Sequence, residues 1–330
     1  MSDGKIDVSV IVVAWNVEAY IAQAVASCIG QSLKNIEIIV VENGSTDGTR
    51  GVIEGVVAGH PNVVMLRNDT NTGVGPARNQ GIAMAHGEYI AFLDGDDWLE
   101  PQALEEAFKA AKTGDADVLV FDVASHAENG RVVANYHRKY LGTGLCGSFA
   151  ERLAAARTSP AVWHKLYRRE FVLREKFTFS DSYYEDTDWT YPIMMVAGRV
   201  ATLPQALVNY RKRTGSITRS ISLRHAEAFD RWRSVLKFME INASRIDPRW
   251  RLFISDVMAR HLENLINSRS RVKPGERFAY AVTMSQLLKQ ADPRCELKLR
   301  FDRQLRYKAF WHGRIRFALA LLMAMKWPKG

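Results

Sequence analysis

Asp94, Asp96 and Asp97 stand in the run Asp94-Gly95-Asp96-Asp97, directly after the apolar segment Tyr89-Ile90-Ala91-Phe92-Leu93. Carboxylates two residues apart at the end of a strand project to one side if the extended geometry persists. Two hard oxygen donors on one face, with Gly95 permitting close approach, suit a Mn2+ or Mg2+ that also grips substrate phosphates and keeps some water. The plainer reading of these residues is a solvated acidic turn leading into a helix. Their position straight after a buried-looking strand favours a metal site with Asp94 and Asp96 as ligands.

A second segment, Asn71-Thr72-Gly73-Val74-Gly75-Pro76-Ala77-Arg78-Asn79, puts glycines at the entry to a helix. Arg78 stands where a dinucleotide fingerprint requires its third glycine, which disfavours hydride transfer. An anion site built from backbone N–H groups and Arg78 remains, beside a plain helix entry. A third segment, Ser182-Tyr183-Tyr184-Glu185-Asp186-Thr187-Asp188-Trp189, gathers acids close enough for one to raise the pKa of another. By residue type it reads equally as a helix start with acids in its first turn.

Alternating strands and helices must position these groups. Val8 to Ala14 is a β-branched run, Val17 to Ile29 carries apolar residues at helical spacing, and Ile36 to Val41 is a second strand-like run closed by Glu42-Asn43-Gly44-Ser45-Thr46-Asp47-Gly48. The pattern continues with helices over 47–57, 76–85 and 101–111 and strands over 63–66, 88–93 and 118–121. It predicts an α/β fold with an open, mostly parallel sheet and ligands at the carboxyl ends of its strands. Gly142, Gly144 and Gly147 mark loops, periodicity returns over 163–174 and 186–196, and a short strand is expected over 206–211. After Ser220 the chain reads as helical in three or four segments broken near Pro248, Pro274 and Pro293. The expected organisation is an α/β domain over 1–220 and a mostly helical domain over 221–330.

The 330 residues, 47% hydrophobic and 25% charged, leave room for two cores and exclude disordered, collagen-like and coiled-coil classes. Cys28, Cys146 and Cys295 form neither a disulfide framework nor a CxxC metal pair and fit a reducing compartment. The start does not read as a signal peptide, and no apolar stretch reaches the roughly 20 residues of a spanning helix. A cytoplasmic protein, soluble or peripheral on the inner face of the cell membrane, is expected. Charge is uneven: residues 1–200 hold 18 Lys and Arg against 26 Asp and Glu, whereas 201–330 hold 27 against 10. The first part suits a cation, and the second suits phosphate, nucleic acid or anionic lipid.

Three segments, in order and spacing, resemble the inverting glycosyltransferases of family 2, which have the GT-A nucleotide-sugar fold. They are Val8 to Glu18 (with Ala14-Trp15-Asn16-Val17-Glu18), Glu37 to Thr49, and Phe92-Leu93-Asp94-Gly95-Asp96-Asp97-Trp98. Trp163-His164-Lys165-Leu166-Tyr167-Arg168-Arg169, Tyr184-Glu185-Asp186 and Tyr210 to Thr218 extend the likeness to about residue 220. The resemblance implies that Ala14, Trp15, Asn16 and Glu18 hold the nucleoside with Asn43, while Asp94 and Asp96 carry metal and diphosphate. It implies that Asp186 is the base and that the segment with Arg213 and Ser216 closes over the donor. Such a base takes the proton of an acceptor hydroxyl as that oxygen attacks the anomeric carbon, opposite the departing nucleoside diphosphate. The family usually has proline where Val13 stands and aspartate at both Glu42 and Asn43. In similar enzymes a carboxylate at the position of Asn43 reads the uracil edge. Asparagine both donates and accepts, so a UDP-sugar is expected with other nucleotides left open.

Trp163, Tyr183 and Trp189 would face a sugar ring or fill the core, and His164 reads as structural. Lys165, Arg211 and Arg213 would reach the diphosphate or an anionic acceptor. Lys298 to Lys329 holds nine Lys and Arg and one acid, Asp302, and Phe310 to Trp327 is an apolar core flanked by bases and tryptophans. Residues 300–330 therefore suit a helix lying on an anionic membrane surface, or one packed on its own domain or on a second copy in a homo-oligomer. The whole reading is a metal-dependent transferase of sugar from a nucleotide-sugar to a glycan or lipid-linked acceptor in cell-surface polysaccharide or glycolipid synthesis. A nucleotidyltransferase would want a basic, glycine-rich loop after the first strand, and Ala14 to Glu18 is not one. A nucleic-acid binder finds no recognised motif in the basic half, so no nucleic-acid partner is expected. Asp94, Asp96 and Asp186 disfavour a non-catalytic lectin-like relative.

Overall fold

The computed structural model describes residues 5–213, 222–268 and 270–291. Contacts divide the chain into two compact units, Met1–Arg213 and Thr214–Gly330. The first opens with β1 (Val8–Ala14), α1 (Ile21–Ile29), β2 (Ile36–Asn43), α2 (Thr49–Val57), β3 (Val63–Asn68), α3 (Val74–Met84) and β4 (Tyr89–Asp94). β1 pairs in parallel with β2 and β4, and β2 with β3. Every residue of β1, and all of β4 except Asp94, is buried, as continuous apolar runs require when a parallel sheet is covered on both faces. α1 buries Ile21, Ala24, Val25 and Cys28, one stripe at helical spacing. In α3, a Cβ on Gly81 would stand 2.4 Å from Ile11 Cγ2, so only glycine lets this helix lie so close on β1.

The unit continues with β5 (Trp98–Leu99), α4 (Ala103–Thr113), β6 (Val118–Ala127), β7 (Val132–Val133), β8 (Gly144–Leu145), α5 (Phe149–Ala156), β9 (Lys165–Arg168), α6 (Arg169–Arg174), α7 (Thr187–Val196) and β10 (Val200–Lys212). Among the described residues the strand order is β3-β2-β1-β4-β9-β6-β10-β5, with β7 added to β6 and β8 to β10. β9 lies antiparallel between β4 and β6, and β10 runs parallel to β6. This is the expected GT-A architecture, with the loops after β1, β2 and β4 at one end of the sheet.

Two segments differ from expectation. The periodic stretch 163–174 contains a 3₁₀ turn, then β9, and only then the helix α6. Leu166 and Tyr167 are both fully buried, and burial on both faces of a strand removes the alternation that marks one. β10 spans thirteen residues, far longer than the strand expected over 206–211. Its register shifts on either side of Ala206, beside Pro204 and Gln205, which hides its first half from a pattern search.

The second unit holds α8 (Glu227–Ile241), α9 (Trp250–Asn267) and α10 (Arg277–Ala291). α8 buries Trp232, Val235, Leu236 and Met239 at helical spacing, and Trp232 Nε1 donates to His261 Nδ1 of α9 at 3.0 Å. Among the described residues no helix is long and apolar enough to cross a membrane. Ser216, Cys295 and the basic segment 300–330 lie outside the described residues. Gly81→Val is expected to push α3 off β1 and cost about 1–3 kcal/mol, read as an earlier urea midpoint. An unchanged midpoint would show that the helix has room to shift.

Candidate active site

The loops after β1 and β2 are stitched to each other. Asn16 adopts a left-handed backbone conformation (φ 50°). Its amide donates to Ser45 Oγ at 3.2 Å, that of Val17 to Thr49 Oγ1 at 2.8 Å, and that of Glu18 to Asp47 Oδ2 at 3.2 Å. In return Thr46 N donates to Asn16 Oδ1 at 2.9 Å and Gly48 N to Glu18 Oε2 at 3.0 Å. The Ser45-to-Thr49 segment thus satisfies the backbone of the first loop, and the side chains of Asn16 and Glu18 are spent on the second. Ala14 is buried at the end of β1, whereas Trp15, 37% exposed, keeps an open face.

Asn43 is enclosed. Its Nδ2 donates to Asn71 Oδ1 and Gly73 O, both at 3.1 Å, and its Oδ1 accepts from Asn68 Nδ2 (2.9 Å), Thr72 N (3.2 Å) and Thr72 Oγ1 (2.9 Å). Both amide hydrogens and the acceptor are committed, and the side chain expected to face a nucleoside fastens the entry of α3 to β2. Glu42, also buried, accepts from Ser45 N and the Arg50 guanidinium. Burial pushes its carboxyl up, but those bonds outweigh burial and hold it below the ordinary range.

The acidic run turns sharply after β4, with Gly95 N donating to Val13 O at 2.9 Å and Asp97 N to Asp94 O at 3.0 Å. Arg78, buried on α3, reaches Asp94 Oδ1 at 2.8 Å and Glu185 Oε1 at 2.5 Å. Arg78, expected at an anion site, pairs here with two of the protein's own carboxylates. Asp96 Oδ2 pairs with Arg213 Nε at 2.6 Å. Burial, then repulsion from Asp94, pushes the Asp96 carboxyl up against the pull of Arg213. Burial and the same like charges push Asp97 well up; its Oδ1 accepts from Arg211 N at 2.7 Å, and its Oδ2 has no partner among the described residues. Arg211 lies between the rings of Tyr20 and Trp98, 4.9 and 4.6 Å from their centroids, and donates to Asp96 O. These bonds hold the acidic turn to β10. Asp97 was visible as one more acid in the run, but nothing in the sequence marked Tyr20 as its neighbour's platform.

Asp94 and Asp96 keep 33% and 21% side-chain exposure, and their mutual repulsion is what a cation relieves. Among the described residues no group of three or more His, Cys, Asp or Glu is arranged around an ion. Two carboxylates alone would leave most of the oxygens of a Mg2+ or Mn2+ to phosphates and water, and each is paired with a guanidinium group, Asp94 with Arg78 and Asp96 with Arg213.

Asp186 occupies the N-cap position of α7, with Asp188 in the first turn as the helix-start reading has it, but its side chain makes no capping hydrogen bond. Burial pushes its carboxyl above the ordinary range; Arg78 and Lys165 oppose this, and Asp94 and Asp188 add to it. Burial pushes Glu185 up to about 7 even against Arg78. Just before the pair, Tyr184 sits at φ 64°, a conformation that a bulky residue adopts only under constraint. Trp163 and Trp189 fill the core, Trp189 stacking on Phe179 at 3.9 Å, and Lys165 and His164 are wholly buried. Arg78, Asp94, Asp96, Arg213, Glu185 and Asp186 are thus brought together by contact or charge, while Asn16, Glu18 and Asn43 turn to internal bonds.

Residues 9–174, half of the chain, match the family model for glycosyl transferase family 2. The chain belongs to that family. It is 30% identical over 216 residues to the putative glycosyltransferase EpsH of Bacillus subtilis, the match covering 64% of this chain and 62% of EpsH. It is 26% identical over 234 residues to the cholesterol galactosyltransferase of Borreliella burgdorferi, covering 67% of this chain and 64% of that protein. Its fold is that of S. aureus TarS 1–349, solved in complex with UDP-GlcNAc, with a TM-score of 0.69 at 22% identity over 88% of this chain and 82% of the other. The mannosyltransferase PcManGT of Pyrobaculum calidifontis, solved with GDP-Man and Mn2+, gives 0.55 at 15% identity over 99% and 88%.

Replacing Asn43 by Leu strands several buried donors and acceptors and is expected to cost at least about 2 kcal/mol in thermal or denaturant unfolding. Stability equal to the parent would show that the Asn43 amide is not committed to this network.

Proposed function

We propose that this family member is an inverting glycosyltransferase that moves a sugar from a nucleotide-sugar, a UDP-sugar by preference, to a hydroxyl of a glycan or lipid-linked acceptor. The observation that carries the reading is Asp186: a carboxylate at the head of α7 that does not cap it, set among the charges of Arg78, Lys165 and Asp94. In the transfer, Asp186 takes the proton of the acceptor hydroxyl as that oxygen bonds to the anomeric carbon, while the bond from that carbon to the nucleoside diphosphate breaks on the opposite face. Asp94 and Asp96 are the residues that would hold Mg2+ or Mn2+, and a bound ion supplies positive charge to the departing diphosphate. Trp15 offers its open face to the nucleoside, Ala14 closes the floor beneath it, and Asn16, Glu18 and Asn43 serve by fixing the loops around it. Arg213, paired with Asp96, is placed to exchange that carboxylate for the donor's phosphates.

Support for the donor class comes from the fold shared with TarS in its UDP and UDP-GlcNAc complexes, and for the metal from the Mn2+ complex of PcManGT. The first domain, through about residue 220, would hold donor and base. The helical, basic domain over 221–330 would serve acceptor, homo-oligomer or membrane contacts on the cytoplasmic face, in the synthesis of a cell-surface polysaccharide or glycolipid.

A donor-hydrolysis screen over nucleotide-sugars, with and without Mn2+, tests this. Asp186→Asn is expected to keep donor binding and lose turnover by at least ~100-fold, and unchanged turnover would remove it from the role. Asp96→Asn is expected to weaken metal-dependent donor binding in calorimetry, whereas an affinity equal to the parent's would contradict its place at the diphosphate.

A further inference from the structure

Gly75 and Asn79 have no task in the transfer, yet both face the chain that leads to Asp186. With Arg78 they stand at i, i+3 and i+4 of α3 and so share one face of that helix. All three meet the segment that enters α7. Asn79 Nδ2 donates to Phe179 O at 2.9 Å and Phe179 N donates to Asn79 Oδ1 at 2.8 Å, so one carboxamide makes the paired bonds that a neighbouring strand would make. A Cβ on Gly75 would stand 2.0 Å from Ser180 O, a backbone atom that no side-chain rotation can clear. Arg78 completes the face, its guanidinium bonded to Glu185 and lying 5.4 Å from the centroid of the Phe179 ring. α3 is itself seated closely on β1 through Gly81, which leaves the 179–185 segment as the part that must yield to any added group.

The segment carries this placement to Asp186 from both sides. Ser180 Oγ donates to Asp188 Oδ1 at 3.2 Å, and the Phe179 ring stacks on Trp189 with centroids 3.9 Å apart. Asp188 and Trp189 belong to the first turn of α7, just after Asp186, and Glu185, held by Arg78, comes directly before it. Asp186 is thus fixed between contacts at 185 and at 188–189, all of them referred to one face of α3. Arg78 on that face also holds Asp94, so the candidate base and a carboxylate of the proposed metal end take their positions from the same helix.

We propose that Asn79 is a positioning residue for Asp186: its two bonds to the Phe179 backbone, made possible by the gap that Gly75 leaves for Ser180, set how far this carboxylate reaches toward the acceptor hydroxyl. The proposal rests on reading Asp186 as the base. A misplacement of about 1 Å at a reacting group costs on the order of 100-fold in rate, even when its cause lies away from the chemistry.

The test is a kinetic cycle on the full chain. Asn79→Leu removes both bonds, and Gly75→Ala leaves Asn79 in place but drives a methyl group against Ser180 O; the second variant guards against loss of the fold in the first, and thermal unfolding shows which variants are folded. Hydrolysis is followed with the fastest substrate among UDP-GlcNAc, UDP-galactose and GDP-Man. Each substitution is expected to lower kcat at least ~10-fold with the donor KM within about twofold of the parent's, and to cost less than about twofold when added to Asp186→Asn. A folded variant with the parent's kcat, a loss confined to KM, or a loss of equal size in the Asp186→Asn background overturns the proposal and leaves Asp186 in its role. Parental turnover in Asp186→Asn alone overturns the reading of the base, and the proposal with it.

Discussion

The buried Arg78 guanidinium, held between Asp94 and Glu185, is the contact on which the site depends. It joins α3, the end of β4 and the segment leading into α7, and its two partners lie 16 and 107 residues away along the chain. A buried ion pair earns little net stability, but breaking one leaves a charge without a partner and costs about 3–5 kcal/mol. Here the consequence is positional, because Asp94 belongs to the proposed metal end and Glu185 adjoins Asp186 at the proposed base end. The same arginine ties both segments together with one rigid, planar group.

Around that contact the chain gathers more carboxylates than cations. Asp94, Asp96, Asp97, Glu185 and Asp186 are opposed by Arg78, Arg211, Arg213 and Lys165, and burial lifts four of the five acids above their usual range. That bias is the setting in which we place the proposed divalent cation, at Asp94 and Asp96, and the proposed proton acceptor, Asp186. Side chains from the 45–49 segment satisfy the amides of residues 16–18, so the loops after β1 and β2 hold each other in place.

Much of this frame was legible in the sequence. β1, β2 and β4 follow from unbroken apolar runs, which only a sheet covered on both faces demands, and Asp94 falls where β4 ends. What was not legible has a physical reason in each case. β9 is buried on both faces and hides inside a seemingly helical period, and β10 is interrupted by register shifts beside Pro204. Asn16, Glu18 and Asn43 were expected around the nucleoside from the family resemblance, but the internal bonds they make were not. Whether a polar side chain faces a ligand or the protein is decided by partners 25 to 30 residues away, and no local pattern records them. Arg78 was recognisable as an anion contact, while the identity of its anions depended on the fold.

The most direct measurement is a double-mutant cycle on Arg78→Met and Glu185→Gln, with unfolding free energies for the parent, both single variants and the pair. If Arg78 couples the two ends of the site, the double variant loses less than the sum of the singles by at least about 1 kcal/mol. Strict additivity would mean that the two residues are neighbours without a shared energy, and the account of a single arginine holding metal end and base end together would fail.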